Sequence, residues 1–409
     1  MSTTISPSST TSSPTTAPNW PSGFSSGGVA AGIKKPGVND LALLVGDGEL
    51  SAAAVFTRNL IVAAPIQVSR SNLAESHGRI RALLINSGCA NAATGDDGLS
   101  RARQSTELLA GALGIQSKSV LVNSTGVIGV TLPVDRIERA LPALKASVRH
   151  GSCESFARSI MTTDTRPKWA SRTIQWMDAA TTRTCTVTGV AKGAGMIHPN
   201  MATMIAVIAT DATLTPTELD GHLRSAVERS FHRISVDGDT STNDSVFALS
   251  SNCAGTPPTQ QLAAAFEAVA QELALMVVRD GEGFERGIEV RVNGGRTQSD
   301  ALQVARTVAM SLLVRTAVTG GDPNWGRILA AAGRAGVAFD PSKLRVSAGG
   351  IPLYAAGGPT HADPGAVRRA FTADTVQIEL DLAMGTESDV FWSCGLTKRY
   401  VEINADYTT

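Results

Sequence analysis

The central stretch of the chain, Gly189 to Asp211, places a threonine between an interrupted loop and a short apolar run. The run from Thr203 to Ala209 is rich in Met, Ile and Val, which predicts a buried strand. Pro199 and Asn200 interrupt any regular structure ahead of it. Thr203 is therefore expected at the first position of a buried strand, directly after a loop, which suits a nucleophile better than a packing residue.

Thr203 needs an adjacent base, because a threonine hydroxyl is a weak nucleophile at neutral pH. If the chain is cut between Ala202 and Thr203, the new α-amine, with a pKa of about 7.7–8.0, can act as that base. The small side chain of Ala202 would let the hydroxyl reach the preceding carbonyl group. Without further information the plainer alternative is favoured, in which Thr203 only begins a strand, since β-branched residues favour strands.

Composition limits the classes of function that need to be considered. The chain has 409 residues, enough for one large or two ordinary domains. Lys and Arg total 36, as do Asp and Glu, so the zero net charge gives no sign of a nucleic-acid partner or an anionic membrane. No apolar run approaches the ~20 residues of a membrane-spanning helix. The 39 glycines and few aromatic residues fit a loop-rich α/β or α+β enzyme. The odd number of cysteines favours a reducing compartment, and a cytoplasmic location is expected.

Neither disulfides nor a metal site are expected. The five cysteines are an odd number without a Cys-x-x-Cys pair, and the six histidines lack the spacing of metal ligands. Residues 1–20 are rich in Ser, Thr and Pro and match neither a signal peptide nor an Arg-rich transit peptide. They predict a disordered tail, with the folded part beginning near Trp20.

Three other segments combine reactive or charged side chains with neighbouring glycines. Thr125 and Gly126 fall in a predicted loop, 123–129, where they could supply two donors to a developing oxyanion, although a simple turn explains the same pattern. Lys192 lies in a glycine-rich segment that lacks the GxxxxGK[ST] pattern of a phosphate loop. Glu282 follows a predicted long helix. Taken singly, each is more often a solvated loop residue than a ligand.

Taken together, the motifs resemble the ornithine acetyltransferase family, the glutamate N-acetyltransferases of arginine biosynthesis. The central stretch KGAGMIHPNMATMIAVIATDA is similar to the signature of that family. Further matching segments occur in the family's order: Asn86–Asn91, Asn123–Gly129, Met161–Lys168, Asp239–Asp244, Asp280–Gly283, Gly321–Arg327 and Glu402–Thr409. One such motif alone has low specificity. The whole series in order is highly specific, and it extends from about residues 21–30 to the last residue of the chain.

The resemblance implies an α+β fold, a layered αββα-like sandwich of the type shared with N-terminal-nucleophile aminopeptidases, with a smaller C-terminal subdomain. It also implies self-cleavage into an α chain, whose folded part is 21–202, and a β chain, 203–409. The two would form one catalytic unit within an α2β2 heterotetramer. Thr203 would carry acetyl from N2-acetyl-L-ornithine to L-glutamate. No cofactor is expected, and the sequence leaves open whether acetyl-CoA is a second donor.

The resemblance also assigns roles to individual residues. Thr125 and Gly126 would form the oxyanion hole. The expected substrate contacts are Thr162, Lys192, Thr203, Glu282, Asn404 and Thr409. Among them, Lys192 would bind the substrate carboxylate and Glu282 its ammonium group. Arg315 stands where the family commonly has Lys, which keeps the charge but changes the hydrogen-bond geometry.

Two other functions stay open at this point. An N-terminal-nucleophile aminopeptidase of related fold would use the same threonine, although the opposite charges of Lys192 and Glu282 favour an amino-acid acetyltransferase. A non-catalytic amino-acid-binding protein would keep its chain intact. Assays that compare acetyl transfer with peptide hydrolysis distinguish the acetyltransferase from the aminopeptidase. Measuring the intact mass of the purified protein distinguishes a self-cleaving enzyme from a binding protein.

Overall fold

The computed structural model describes residues 16–198 and 204–406, which form two β-sheets covered by helices. The strands are β1 Phe24–Val29, β2 Leu41–Phe56, β3 Arg79–Cys89, β4 Val120–Val127, β5 Arg149–His150, β6 Lys168–Asp178, β7 Thr181–Lys192, β8 Ile205–Ala212, β9 Ser245–Gly255, β10 Gly287–Gly295, β11 Arg345–Ala348, β12 Ile351–Ala355, β13 Gly358–Pro359, β14 Thr375–Asp381 and β15 Glu387–Cys394. The helices are α1 Ala64–Glu75, α2 Gly95–Leu113, α3 Val134–Ser147, α4 Glu154–Ile160, α5 Pro216–Glu228, α6 Thr259–Arg279, α7 Gln298–Ala309, α8 Leu312–Gly320, α9 Trp325–Gly333, α10 Pro364–Phe371 and α11 Lys398–Asp406.

The larger sheet folds into a layered sandwich. Its strand order is β4-β3-β2-β9-β8-β7-β6, and β1 pairs with both β2 and β5. Side chains on one face of β2 and β3, such as Leu44 and Ile85, share a central core with Val207 of β8. On the opposite faces, α1, α2 and α3 cover β2 to β4, whereas α5 and α6 cover β6 to β9. The layers are helix, sheet, sheet and helix, so the expected α+β class and αββα-like arrangement are confirmed.

A bend in β2 lets one strand serve both halves of this sandwich. The sequence predicts two strands, 41–45 and 52–56, around a glycine turn, but the structure has one continuous strand. Its register against β3 shifts between Val45 and Leu50. Before the shift β2 pairs with β1, and after it β2 pairs with β9. Gly46 and Gly48 therefore lie in an irregular stretch that redirects the strand without ending it.

The strand predicted over 203–209 is present as β8, but it begins at Ile205 and extends to Ala212, and it is buried along its whole length. It pairs antiparallel with β7 and parallel with β9. Because cores cover both faces, the strand is apolar throughout instead of alternating. The helix α5 follows. The segment from Thr215 to Glu218, Thr-Pro-Thr-Glu, predicts a capping box with Pro at the first helical position, and Thr215 and Glu218 do form one at the start of α5.

A smaller sheet in the C-terminal part has its own core. Its strand order is β13-β12-β11-β14-β10-β15, and α7 to α10 pack against it. The sequence predicts one helix over 300–314, whereas the structure has α7 and α8, separated at Met310 and Ser311. After β15 the chain enters α11, which returns to the larger domain. This return brings the C-terminal segment to the cavity described below.

The fold begins a few residues before the predicted end of the tail. Ala17 packs against the central core, and the Pro18 carbonyl accepts a hydrogen bond from the Cys153 N–H at 3.0 Å. Trp20 is buried, and its indole N–H donates to Ser26 Oγ at 2.9 Å. Residues 17–20 therefore belong to the folded part, not to the tail assigned to residues 1–20.

Within the described chain, α6 is the single helix long and apolar enough to span a membrane. The helices α7 and α8, which meet at a 56° bend, fulfil the same criterion only if the two are counted together as one span. Phe266, Val269 and Leu273 of α6 are fully buried against the sheet, which is how the core helix of a globular domain packs.

Candidate active site

A cavity of about 820 Å³, including its open mouth, lies at the end of β7 beside β4 and α11. Six of the residues that the family resemblance assigned to the site line it: Thr125, Gly126, Thr162, Lys192, Glu282 and Asn404. The other three predicted site residues, Ala202, Thr203 and Thr409, lie outside the described residues. Lys192 is paired in register with Ile205, the second residue after Thr203. The fold therefore gathers distant segments beside the start of β8.

The segment carrying Thr125 and Gly126 is a strand, not the predicted loop. It belongs to β4, which runs parallel to β3 with an irregular register at Gly88 and Cys89. Gly126 has φ +132°, and a Cβ there would lie 2.4 Å from the Gly88 carbonyl carbon. Local pattern suggested a loop because a strand seldom carries such a glycine. Here the close approach of β3 requires it.

Replacing Gly126 with alanine is expected to destabilise the protein by about 2 kcal/mol or more and to slow any reaction at the cavity, because β3 and β4 must move apart. The control is Gly129→Ala. Gly129 also has positive φ, +79°, but a Cβ added there would meet no atom within 4 Å, so only the backbone strain of about 1 kcal/mol applies. Denaturant unfolding of both variants measures the difference. Equal losses would contradict the close-approach argument.

Lys192 is the last residue of β7 and is almost completely buried, although a lysine in a glycine-rich segment is usually solvated. Its ammonium group donates to Thr125 Oγ1 at 3.2 Å. Burial lowers the pKa of Lys192, and nearby carboxylates, Asp164 first among them, act in the opposite direction. A buried cation with few direct partners favours a bound anion, such as a substrate carboxylate.

A buried charge network positions Thr162 and Lys192 relative to each other. Lys168 Nζ lies 2.5 Å from both Asp164 Oδ1 and Asp280 Oδ2. Asp164 also accepts hydrogen bonds from the main-chain N–H groups of Gly193, at 2.6 Å, and Thr162, at 2.9 Å. Burial alone would raise the pKa of Asp164, but the ammonium groups of Lys168 and Lys192 and the Gly193 N–H hold it well below its usual range. The sequence reasoning missed this network, although Asp164 and Lys168 lie within one matched segment.

Glu282 and Asn404 form the other side of the cavity. The Glu282 N–H donates to the Ala194 carbonyl at 2.9 Å, and Asn404 Nδ2 donates to Glu282 Oε2 at the same distance. A Cβ on Gly195 would lie 2.5 Å from Glu282 Oε2, so the carboxylate rests directly against that glycine. Asn404 therefore orients an acceptor that can bind an ammonium group.

Two further carboxylates, of Asp237 and Asp239, line the same cavity. Asp237 accepts hydrogen bonds from Met196 N–H at 2.5 Å, from Ile197 N–H at 2.8 Å and from Asp239 N–H at 3.2 Å. It thus fixes a turn in which Met196 has φ +58°. Burial raises the pKa of Asp237 to about 6 despite these donors. The sequence reasoning assigned 237–244 to a structural or site-lining loop without singling out Asp237.

The raised pKa of Asp237 predicts a pH-dependent stability. Its folded pKa of about 6 lies above the unfolded value of about 4, so the protonated form favours folding. This contribution is fully present below about pH 4 and is lost as the pH rises through 6. Between pH 4 and 6.5 we expect the Tm of wild type to fall relative to the Tm of Asp237→Asn, which has no carboxyl group to ionise at this position. Asp239→Asn serves as the control, and parallel profiles for wild type and Asp237→Asn would contradict the assignment.

Among residues 16–198 and 204–406, no group of three or more His, Cys, Asp or Glu side chains is placed to hold a metal ion. The cysteines are all free thiols. His198, adjacent to the central motif, has its Nδ1 3.3 Å from Ser235 Oγ, and burial lowers its pKa. Arg315, which replaces the expected lysine, is buried and donates to the Cys394 carbonyl at 2.8 Å.

Comparisons with known sequences cover nearly the whole chain, and a solved structure matches about half of it. The sequence profile of the ArgJ family matches residues 25–409. The chain is 44% identical to the arginine biosynthesis bifunctional protein ArgJ of Thermosynechococcus vestitus, over 95% of this chain and 96% of that protein. It is also 44% identical to the protein of that name from Thermus thermophilus, over 95% of this chain and 99% of the relative. The crystal structure of ArgJ from Bacillus halodurans is 35% identical, with a TM-score of 0.46, and the match covers 48% of this chain and 96% of that one.

Proposed function

The chain belongs to the ArgJ family, and we propose that it is an acyltransferase of arginine biosynthesis that moves acetyl from N2-acetyl-L-ornithine to L-glutamate. The observation that carries this proposal is the meeting of Thr125, Lys192 and Glu282 at one cavity. A buried ammonium group on one side and an oriented carboxylate on the other complement the α-carboxylate and the side-chain ammonium group of N2-acetyl-L-ornithine, whose α-nitrogen is an uncharged amide.

The nucleophile of this proposal is Thr203, released by self-cleavage. Its hydroxyl attacks the Ala202 carbonyl carbon, the C–N bond breaks, and the peptide becomes an ester. Water then hydrolyses the ester, which leaves a carboxylate on Ala202 and a free hydroxyl and α-amine on Thr203. The adjacent residue supports this placement, because Met204 is held on both sides: its N–H donates to Asp244 at 3.0 Å, and its carbonyl accepts from the Ser245 N–H at 3.1 Å.

Acetyl transfer then proceeds through a covalent acetyl-Thr203 intermediate. The α-amine accepts the hydroxyl proton while the oxygen attacks the acetyl carbonyl of N2-acetylornithine. The Thr125 hydroxyl and the Gly126 main chain would stabilise the oxyanion, and removing such a donor typically costs about 3–4 kcal/mol of transition-state stabilisation. Ornithine leaves with the proton. The neutral amine of glutamate next attacks the acetyl carbonyl of the intermediate, and the ester C–O bond to Thr203 breaks. The proton lost by the attacking amine returns to the Thr203 oxygen through the α-amine, N-acetyl-L-glutamate leaves, and the two half-reactions share one site.

Each substrate would be held by its charged groups. Lys192 binds a carboxylate, while Glu282, oriented by Asn404, binds an ammonium group. Thr162, which lines the cavity, would add a polar contact. Thr409 is included among the substrate contacts on the family resemblance alone. The carboxylates of Asp237 and Asp239 would favour binding of the positively charged side chain of ornithine over an uncharged side chain.

The same site would also accept acetyl from acetyl-CoA, which makes the enzyme multifunctional. The support is the term bifunctional in the names of relatives that align over 94–99% of their length. We propose no other cofactor. The cut chains, 1–202 and 203–409, would assemble as an α2β2 heterotetramer in the cytoplasm.

The proposal is tested by intact-mass measurement together with acetyl-transfer assays on the purified protein. Two fragments divided before Thr203, with transfer from N2-acetylornithine to glutamate, are the expected result. Adding acetyl-CoA as the sole donor tests the second activity. Peptide hydrolysis without acetyl transfer would indicate the aminopeptidase, and an intact chain that only binds amino acids would indicate a binding protein. An intact chain that transfers acetyl would exclude the free-amine mechanism.

A further inference from the structure

Asn243 is a buried side chain at the wall of the cavity that connects β4 with the residue following β3. Its Nδ2 donates hydrogen bonds to the Ala90 carbonyl at 2.7 Å and to the Ser124 carbonyl at 2.8 Å. The Thr242 hydroxyl donates to its Oδ1 at 2.6 Å. The reversed amide would place Oδ1 against two carbonyl oxygens, so these partners determine which way the side chain faces.

The strand β4 lies at an edge of the larger sheet. It is terminal in the strand order of the described chain, so one of its edges has no neighbouring strand. Side chains bind the main chain there: Asn123 Oδ1 accepts from the Ser124 N–H at 2.8 Å, and Asn243 Nδ2 donates to the Ser124 carbonyl. Asn123 Nδ2 in turn donates to the Asn243 carbonyl at 3.2 Å. The segment ahead of β9 therefore satisfies main-chain groups of β4 that an adjacent strand would otherwise bind.

The two carbonyls that Asn243 binds enclose the residue pair 125–126. Ser124 directly precedes this pair, and because a peptide group is planar, fixing the Ser124 carbonyl also fixes the N–H of the next residue. Ala90 reaches the other end, since its N–H donates to the carbonyl of Val127 at 2.9 Å. One amide side chain thus holds the main chain before the pair directly and the main chain after it through one intermediate residue.

We propose that Asn243 is a positioning residue that holds Thr125 and Gly126 in the geometry of an oxyanion hole. The inference rests on the proposed function, because it takes this pair as the donors to the oxyanion. Such donors act at about 2.7–3.1 Å from the oxygen on which charge develops, and a displacement of about 1 Å can lower a rate about 100-fold. Asn243 also relates the pair to β8, because Ser245, two residues further on, is paired in register with Ile205.

The groups proposed to bind the charges of the substrate are held by residues other than Asn243. Asp164 binds the main chain directly after Lys192, and Asn404 orients the Glu282 carboxylate. Free L-ornithine carries charges for both groups but has no acetyl carbonyl on which an oxyanion could form. Loss of the Asn243 amide should therefore weaken stabilisation of the transition state and leave the binding of ornithine nearly unchanged.

The test compares Asn243→Ala with a matched variant, Asn72→Ala. Asn72 of α1 makes the same kind of bridge at the other end of β4, because its Nδ2 donates to the Ser117 carbonyl at 3.2 Å and to the Val120 carbonyl at 2.8 Å. Val120 lies roughly 17 Å from Thr125 along the strand. In cut and folded protein, we expect Asn243→Ala to lower kcat for acetyl transfer about 10- to 100-fold. Its Kd for L-ornithine, measured by isothermal titration calorimetry, should stay within about 2-fold of wild type. Asn72→Ala should keep both wild-type values.

Equal kcat values for the two variants would overturn the role of Asn243, and so would a parallel loss of ornithine affinity, which would indicate a general change in the cavity. If Asn243→Ala is uncut or does not fold, Thr242→Val decides, because it removes only the hydroxyl that donates to Asn243 Oδ1. We expect about a 3-fold lower kcat with unchanged ornithine affinity, and a wild-type kcat in that variant would overturn the inference. Failure of the proposed function looks different, because the wild-type protein itself would then transfer no acetyl.

Discussion

Thr203→Ala is expected to remain a single chain of 42.4 kDa and to lose acetyl transfer by a factor on the order of 10⁴–10⁶. The substitution removes both the oxygen that attacks Ala202 and the oxygen that would carry acetyl. Without the cut, the residue at 203 also lacks the α-amine that serves as its base. Intact mass under denaturing conditions and a radiolabelled acetyl-transfer assay measure the two losses on the same sample.

The matched control for this substitution is Thr210→Ala. Thr210 is a buried threonine within β8, and its Oγ1 contacts Cys185 Sγ at 3.4 Å and the Ala212 N–H at 3.2 Å. Its loss should lower stability modestly and leave cleavage intact. Thr203→Ser should retain both reactions, because serine keeps the hydroxyl. Cleavage in Thr203→Ala, or loss of cleavage in both alanine variants, would place the chemistry elsewhere.

Lys168→Met is expected to lower the free energy of unfolding by about 3–5 kcal/mol, because it leaves two buried carboxylates without their shared cation. Lys168 is 1% exposed, and Asp164 and Asp280 each bind its ammonium group at 2.5 Å. Acetyl transfer should fall as well, since Asp164 holds the main chain at Thr162 and Gly193. Denaturant unfolding gives the free energy, and transfer kinetics on the residual folded protein give the second effect.

A surface ion pair on α4 provides the comparison. Arg158 and Glu154 are four residues apart at 2.8 Å, with side chains 54% and 47% exposed. Arg158→Met should therefore cost only about 0.3–0.5 kcal/mol and leave transfer unchanged. If Lys168→Met costs no more than this surface variant, the buried network does not determine the geometry of the site.

Local sequence pattern predicted the elements whose residues interact mainly with near neighbours. The apolar run of β8 and the capping box at Thr215 and Glu218 both depend on short spacings along the chain. The family motifs predicted which segments meet at the cavity, and six of the assigned residues do line it. The assigned roles of these residues, and those of Ala202, Thr203 and Thr409, stay predictions.

Features that depend on distant partners escaped the sequence reasoning. Gly126 made β4 look like a loop because its close contact with Gly88 is not visible in the local pattern. Lys192 resembled a solvated lysine because its burial depends on β4 and on the segment around Asp164. Asp244 was one acidic residue among several in a polar loop, and only the start of β8 distinguishes it. Propensity and spacing describe a residue's own segment, whereas burial is decided by the segments packed on it.

The strand order described for the larger sheet has a consequence under dilution if the chain is cut before Thr203 as proposed. In β4-β3-β2-β9-β8-β7-β6, the pair β9 and β8 from residues after the cut is inserted between β2 and β7 from residues before it. Separating the chains would break two hydrogen-bonded ladders at once and expose both cores. Dissociation is then equivalent to global unfolding, so activity per chain should not fall on dilution, and the heterodimer should persist without any covalent link.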